Sequence, residues 1–241
     1  MKPVFSIVRA ASCGYNRAIV NSEPVSVRSI LHRIQFSKGR VEALTDGIFA
    51  IAMTLLVLEL KIPAMPKNTP TEEILGHLRE EIPAFFSFFF SFMYCGLLWV
   101  LHHMAMHFVR HVRVALVWLN LIFLLTISLL PFSCALLGHF IRNVAVQEIY
   151  FGNMFLASTL LLIQWIIARS RGMLNQDDPR AAQVMEQQLM IFPIALAAAM
   201  VATPYRPTAG FYAMSLVMLA FRIWQRRFVR LKATAPATPS A

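Results

Sequence analysis

The stretch that decides the fold is Arg40-Val-Glu-Ala-Leu-Thr-Asp-Gly-Ile-Phe-Ala-Ile-Ala-Met-Thr-Leu-Leu-Val-Leu-Glu-Leu-Lys61. Residues 43 to 60 are apolar apart from a few polar side chains, and about 20 such residues are enough to cross the hydrocarbon core of a bilayer. Asp46 lies inside this run, where an ionisable group is costly unless it has partners in the protein. The stretch therefore predicts a transmembrane helix whose carboxylate has an architectural or functional role.

The remainder of the 241-residue chain has the composition of a membrane protein. Hydrophobic residues make up 58% and charged residues 14%, and the mean hydropathy is +0.60, whereas soluble domains carry about a quarter charged residues. Five more apolar segments follow, at about 82–106, 114–137, 150–168, 189–204 and 207–221. The last two are short, so we expect either a tilted helix pair in a thinned bilayer or a re-entrant hairpin. The pattern predicts an all-α integral membrane protein with six transmembrane helices.

The basic residues indicate the orientation of these spans. With the N-terminus inside, seventeen Lys and Arg residues lie on the inner segments and five on the outer ones. Such a bias is typical of cytoplasmic loops, so we expect a multi-pass protein of the inner (plasma) membrane with both termini cytoplasmic. The same distribution explains the net charge of +10 without a nucleic-acid partner.

The predicted organisation has three parts. Residues 1–39 form a basic N-terminal extension, which holds either an interfacial helix near 27–34 or a partly ordered tail. Residues 40–232 form the transmembrane domain, and residues 233–241 form a disordered tail rich in small residues and Pro.

The first span has two faces, because a helix turns about 100° per residue. Ile51, Thr54 and Leu58 share one face, and Thr45 and Asp46 lie about 120° and 140° from Ile51. The apolar and hydroxyl face suits either a pore, in which apolar rings exclude water and hydroxyls replace part of an ion's hydration shell, or an ordinary buried seam between helices.

The same stretch resembles a known family. Arg40-x-x-x-Leu44-Thr45-Asp46 resembles the Arg-x-x-x-Phe-Ser-Asp signature of the transmembrane protein 175 family, the endolysosomal potassium channels and their bacterial homologues, and the similarity continues to Glu59. Leu44 and Thr45 depart from the signature but keep its apolar and hydroxyl character. Further similarity, to the family's second and third helices, lies in Leu98-Trp99-Val-Leu-His102-His103 and in the run from Trp118-Leu-Asn120 to Pro131.

The resemblance implies a potassium-permeable cation channel. It implies six transmembrane helices without a re-entrant selectivity loop, assembled as a homotetramer with the first helix lining the pore. Ile51 would form the hydrophobic constriction, with Thr54 and Leu58 lining the pore beyond it. The partners would be potassium and other monovalent cations and the lipid bilayer, with no cofactor and no bound metal.

The resemblance also assigns a role to the signature. Arg40, Leu44, Thr45 and Asp46 would form a motif that locks the first helix to its neighbours, near Trp99, His103 and Asn120. From the sequence, His102 and His103 are both candidate hydrogen-bond partners in the bundle.

Other functions have weaker support. The HExxH, GxSxG and Walker motifs are absent from the sequence, so we predict that the chain is not an enzyme. His103, His107 and His111 have helical spacing suited to a metal, but no acid or Cys lies nearby. Two alternatives stay open: a proton-coupled secondary transporter that uses Asp46 and His103, and a non-conducting membrane scaffold.

Overall fold

The computed structural model describes residues 37–61, 65–175 and 179–233, and in these ranges the chain is helical, with no β-strand. The helices are α1 (Lys38–Val57), α2 (Thr71–Glu80), α3 (Ile82–Phe108), α4 (Val114–Ser128), α5 (Leu130–His139), α6 (Val144–Ser170), α7 (Pro179–Ala202), a 3-10 turn (Thr203–Tyr205) and α8 (Ala209–Ala233). The predicted all-α class is confirmed. The predicted interfacial helix near 27–34 and the predicted tail beyond residue 233 lie outside the described residues.

Within the described residues, four helical stretches are long and apolar enough to cross a membrane. They are α3, α4 with α5, α6, and α7 with its 3-10 turn, each of 26 or 27 residues. α1 carries Arg40, Glu42 and Asp46, and the apolar part of α8 is confined to Ala209–Ala220. The chain is thus a multi-pass membrane protein, and six spans with both termini inside stay a prediction.

The fifth apolar segment is not short, contrary to the prediction. α7 and the turn that follows run for 27 residues from Pro179 to Tyr205, about 40 Å at 1.5 Å per residue. Hydropathy alone starts the segment near Leu189, because the first turns of α7 carry polar residues such as Gln183 and Glu186. This helix therefore needs no thinned bilayer and no hairpin.

The third apolar segment is one span with a local interruption. α4 ends at Ser128 and α5 begins at Leu130, one residue before Pro131, which has no N–H to donate to the preceding turn. Leu129 N–H still donates to Leu125 O at 3.2 Å, and Ser133 N–H donates to Leu129 O at 3.1 Å. The backbone bonds on both sides of the interruption keep the two helices continuous.

The core places α1 against the other helices. α1 packs on α3 and α4, α4 packs on α6, and α7 packs between α6 and α8. Phe49 from α1 is almost fully buried and meets Phe123 of α4, with ring centroids 5.8 Å apart. Large buried rings of this kind contribute most of the apolar contact in a helix bundle, so they fix which side of α1 faces inward.

α3 ends at Phe108, where the chain turns to an extended Val109. Two backbone hydrogen bonds hold the segments after α3 and α6 together: Arg110 N–H donates to Met173 O and Asn175 N–H donates to Phe108 O, each at 2.8 Å. His111 is therefore not on the helix that carries His103 and His107, so the three-histidine helical stripe considered from the sequence is wrong.

Candidate pore helix and its polar contacts

The buried and exposed sides of α1 follow the helical repeat. The buried side is a row spaced three or four residues apart: Val41, Thr45, Phe49, Ala52 and Leu56. This spacing is what places a single stripe of an α-helix against its neighbours. α1 is consequently held along one stripe, with Ile48 and Met53 beside it partly buried, and the opposite side is exposed in a single chain.

The three predicted pore residues lie together on the open surface. Ile51 is 57% exposed and Leu58 is 66% exposed, and Thr54 between them is exposed as well. Soluble proteins rarely expose rows of large apolar side chains without a function for them. In a membrane, this face of α1 can meet lipid, another protein or a second copy of the chain.

The hydroxyl of Thr54 has a defined orientation. Its Oγ1 donates to the carbonyl oxygen of Ile51 at 2.8 Å. A hydroxyl has one hydrogen and two acceptor lone pairs, so once the hydrogen is bonded to the helix, the oxygen is left as an acceptor. Thr54 thus offers oxygen lone pairs of the kind that a cation coordinates.

A continuous chain of hydrogen bonds ties the buried side of α1 to α4 and α3. Thr45 Oγ1 donates to Val41 O at 2.9 Å and accepts from Asn120 Nδ2 at 3.0 Å. Asn120 Oδ1 lies 3.1 Å from His102 Nε2. Since the amide nitrogen of Asn120 is used as a donor, its oxygen is the acceptor, and Nε2 of His102 carries the proton. All three linked side chains, Thr45, Asn120 and His102, are buried.

The imidazole of His102 is also fixed by packing. It stacks on Phe123 of α4, with ring centroids 5.6 Å apart and the planes within 9° of parallel. A stacked ring cannot rotate freely, so its protonated nitrogen stays aimed at Asn120. The stack and the hydrogen bond together define one orientation of His102.

A second polar contact joins α1 to α3 at Asp46. The indole Nε1 of Trp99 donates to Asp46 Oδ1 at 2.8 Å, and both side chains are exposed in the single chain. The Trp99 ring stacks on His103, with centroids 5.8 Å apart. The carboxylate of Asp46 therefore has a charge-assisted hydrogen bond, and His103 contacts the group through its ring.

The structure does not bring every residue of the predicted motif to these contacts. Arg40 and Leu44 lie on the exposed side of α1, and within the described residues the Arg40 guanidinium has no hydrogen bond or ion pair. A locking role for these two side chains stays a prediction, as it does for the other motif residues.

The sequence did not single out His102 as a member of the hydrogen-bond chain through Asn120. His103 is the predicted partner, yet His102 makes the hydrogen bond to Asn120. The signal that identifies it is periodicity: His102 follows the buried Leu98 by four residues and precedes the buried Ala105 by three, so it lies on the inward stripe of α3.

The chain is similar in sequence to known proteins. A family profile described as endosomal/lysosomal potassium channel TMEM175 matches residues 40–131. A potassium channel of Streptomyces collinus is 37% identical over 105 residues, which are 44% of this chain and 50% of that protein. A potassium channel of a Chryseobacterium species is 35% identical over 139 residues, which are 56% of this chain and 68% of that protein. The matched region thus spans half of the first relative and about two thirds of the second.

A solved structure is similar over a longer region. The crystal structure of a lysosomal potassium-selective channel TMEM175 homolog from Chamaesiphon minutus matches with a TM-score of 0.66 at 24% identity. The match covers 77% of this chain and 96% of that one. At this level of identity, the likeness shows a shared fold.

Proposed function

Because the chain belongs to the TMEM175 family, we propose that it is a potassium-permeable cation channel. The observation that carries the proposal is the two-sided character of α1. One side is tied to α3 and α4 by buried hydrogen bonds, and the other presents Ile51, Thr54 and Leu58. A pore helix needs both features, since one of its faces must be fixed to the rest of the protein while the other faces the ion.

We propose that four copies assemble around the exposed face of α1. The potassium channels of S. collinus and Chryseobacterium are the relatives that suggest conduction, and the apolar exposure of Ile51 and Leu58 supports burial of this face in an assembly. The chain would lie in the inner (plasma) membrane with six spans and both termini cytoplasmic, in accord with the positive-inside bias.

In such a tetramer the face of α1 forms a sequence of rings. The Ile51 ring is the narrowest, and its apolar side chains exclude water when the pore is closed. Thr54 follows, with hydroxyl oxygens whose hydrogens are already bonded to the helix, and Leu58 lies beyond it. Side-chain oxygens replace a hydration shell less completely than stacked carbonyls do, so preference for potassium over sodium is modest.

The motif at the start of α1 keeps these rings in register. Thr45 is held through Asn120, and Asp46 is held by Trp99, which stacks on His103. Arg40 and Leu44 lie on the exposed side, where a neighbouring copy would contact them. Loss of the buried contacts would let α1 rotate or shift, which changes the side chains that face the pore.

Planar-bilayer recording of the purified full chain under a potassium/sodium gradient tests the proposal. We expect cation currents with a modest potassium preference. We also expect Ile51→Asn to raise conductance and weaken selectivity, because a ring of four Asn side chains around the pore admits water where the Ile51 side chains exclude it. The matched control is Ile194→Asn on α7, a position of similar exposure, 53% against 57%.

The alternatives give different results in the same experiment. Coupled uptake without channel currents indicates a proton-coupled transporter, and no flux of any kind indicates a scaffold. Unchanged conductance in Ile51→Asn removes Ile51 from the constriction.

A further inference from the structure

A groove of about 540 Å³ lies at one end of the bundle, between the start of α3, the loop from α5 to α6 and the start of α8. Its volume falls within the range of about 300–1,000 Å³ that is typical of sites for small molecules. The walls are mostly apolar and include Phe86, Ile141 and Phe211. The groove is therefore large enough for part of an apolar molecule.

The apolar wall of the groove is made of packed aromatic rings. Phe211 of α8 meets Phe86 and Phe90 of α3 edge to face, with centroids 5.4 and 6.0 Å apart, and meets the buried Phe151 of α6 at 5.0 Å. Ring pairs in this arrangement are favourable beyond the area that they bury. Three helices thus fix the position of the Phe211 ring, and the groove beside it is a built feature of the fold.

The groove lies where the membrane spans end. α3 begins at Ile82, and the last turn of α5 lies beside it, because a Cβ at Gly138 would be 3.1 Å from Ala84 Cα. α6 begins at Val144, just beyond the loop that borders the groove. Spans of 27 residues are about 40 Å long, whereas the hydrocarbon core of a bilayer is about 30 Å thick. This end of the bundle therefore lies close to the lipid headgroups.

The polar residues of the groove suit an anion. Arg142 is the one charged side chain among the described residues that line it, and it is exposed. The hydroxyl groups of Thr208 and Tyr212 line the groove as well, and both residues are exposed. Ser215 Oγ donates to Phe211 O at 2.8 Å, so its hydrogen is already used. A guanidinium and two hydroxyls are donors that phosphate oxygens accept.

The groove also lies on the side of α3 that faces away from α1. Trp99 of α3 bonds Asp46 of α1, and a turn of about 100° per residue places Trp99 about 140° from Phe86 and about 180° from Phe90. A tetramer built on the exposed face of α1 would therefore leave the groove open to lipid. This placement favours a lipid as the occupant over a second copy of the chain.

We propose that the groove binds one anionic phospholipid, with its phosphate at Arg142, Thr208 and Tyr212 and with an acyl chain along Phe86 and Phe211. Acyl chains have apolar surroundings in the bulk bilayer too, so the chain contacts discriminate little between lipids. The headgroup supplies the selectivity, because a zwitterionic lipid carries its own cation and is a poorer partner for an uncompensated arginine. Lipid binding does not depend on the proposed conduction.

Thermal unfolding of the purified full chain in detergent, with short-chain lipids added, tests the proposal. A ligand that binds only the folded state raises the melting midpoint in a saturable manner. We expect dioctanoylphosphatidylglycerol to raise the midpoint, dioctanoylphosphatidylcholine to raise it less at the same concentration, and inorganic phosphate to leave it unchanged. Equal rises with the two lipids, the same rise with phosphate alone, or no rise with either lipid overturns the proposal.

Replacement of Arg142 tests the headgroup contact. Arg142→Gln should weaken the apparent affinity for dioctanoylphosphatidylglycerol about fivefold, the ratio that corresponds to about 1 kcal/mol for one basic side chain beside anionic lipid. The affinity for dioctanoylphosphatidylcholine should change less. The control is Arg113→Gln, because Arg113 is also exposed and directly precedes a helix, α4. An unchanged affinity in Arg142→Gln, or an equal loss in both variants, overturns the proposed contact.

A bulky side chain in the groove tests the seat of the acyl chain. Ser215→Phe should abolish the rise in midpoint with both lipids. Ser170→Phe is the control, since Ser170 is likewise exposed and its hydroxyl likewise donates to its own helix, at Ile167 O. Lipid binding that survives Ser215→Phe refutes the groove as the site. If neither lipid shifts the wild-type midpoint while Ser215→Phe splits the assembly, as measured by light scattering, the groove is an interface between copies and the proposal is wrong.

Discussion

Replacement of Asn120 by Leu removes the centre of the buried hydrogen-bond chain without leaving a large hole. Asn120 donates to Thr45 at 3.0 Å and accepts from His102 at 3.1 Å. With Leu in its place, Thr45 keeps its own bond to Val41 O and loses only one donor. His102 loses the acceptor for its buried Nε2–H.

The expected cost is set by the orphaned donor. A buried donor left without a partner costs about 1–3 kcal/mol, and for a chain of 150–250 residues each kcal/mol lowers the melting midpoint by about 2–4 °C. Asn120→Leu should thus lower the midpoint by about 2–12 °C, the product of those two ranges. The measurement is thermal unfolding of the purified full chain in detergent, followed by tryptophan fluorescence, with the exposed His103→Phe as the control.

A double variant tests the reasoning behind this value. Replacement of both hydrogen-bond partners by apolar groups of similar shape is nearly neutral, because no polar group is then left unsatisfied. Adding His102→Phe to Asn120→Leu, with the stack on Phe123 preserved, should recover part of the lost midpoint. An Asn120→Leu variant as stable as wild type, or a double variant that melts still lower, would refute the orphaned-donor argument.

Two other changes have expected outcomes that differ in size. Gly210→Ala should lower the midpoint by several degrees, because a Cβ there would overlap Thr203 Oγ1 and lie 2.9 Å from a ring carbon of Phe151, and overpacking costs about 1–3 kcal/mol. Gly76→Ala has nothing within 4 Å of the added Cβ and should leave the midpoint unchanged or slightly higher, because Ala favours a helix over Gly. Equal midpoints for the two variants would contradict the packing around Gly210. Trp99→Phe should lower the midpoint less than Asn120→Leu does, because Asp46, the partner of the Trp99 indole, is exposed and water can replace the lost bond. If Trp99→Phe lowers the midpoint more than Asn120→Leu does, the Asp46 contact is buried in the assembly.

The sequence by itself determined the membrane class, the helical content and the helix to examine first. Long apolar runs cannot remain in water, and in a bilayer a chain satisfies its backbone by forming helices, so composition alone was sufficient. That Thr45 and Ile51 lie on different faces of the first helix also follows from a repeat of 3.6 residues. The sequence was less informative about where α7 begins, because the polar turns at Pro179–Gln188 continue the helix without raising its hydropathy.

Only the tertiary structure decided which side chains meet. Thr45, His102 and Asn120 are separated by up to 75 residues along the chain, and their contact depends on how α1, α3 and α4 pack. For the same reason, the two adjacent histidines differ in the fold: His102 faces the bundle and bonds Asn120, whereas His103 lies one residue further round the helix and stacks on Trp99. A rotation of about 100° per residue separates neighbours onto different faces, and which face becomes buried is fixed by the helices packed against it.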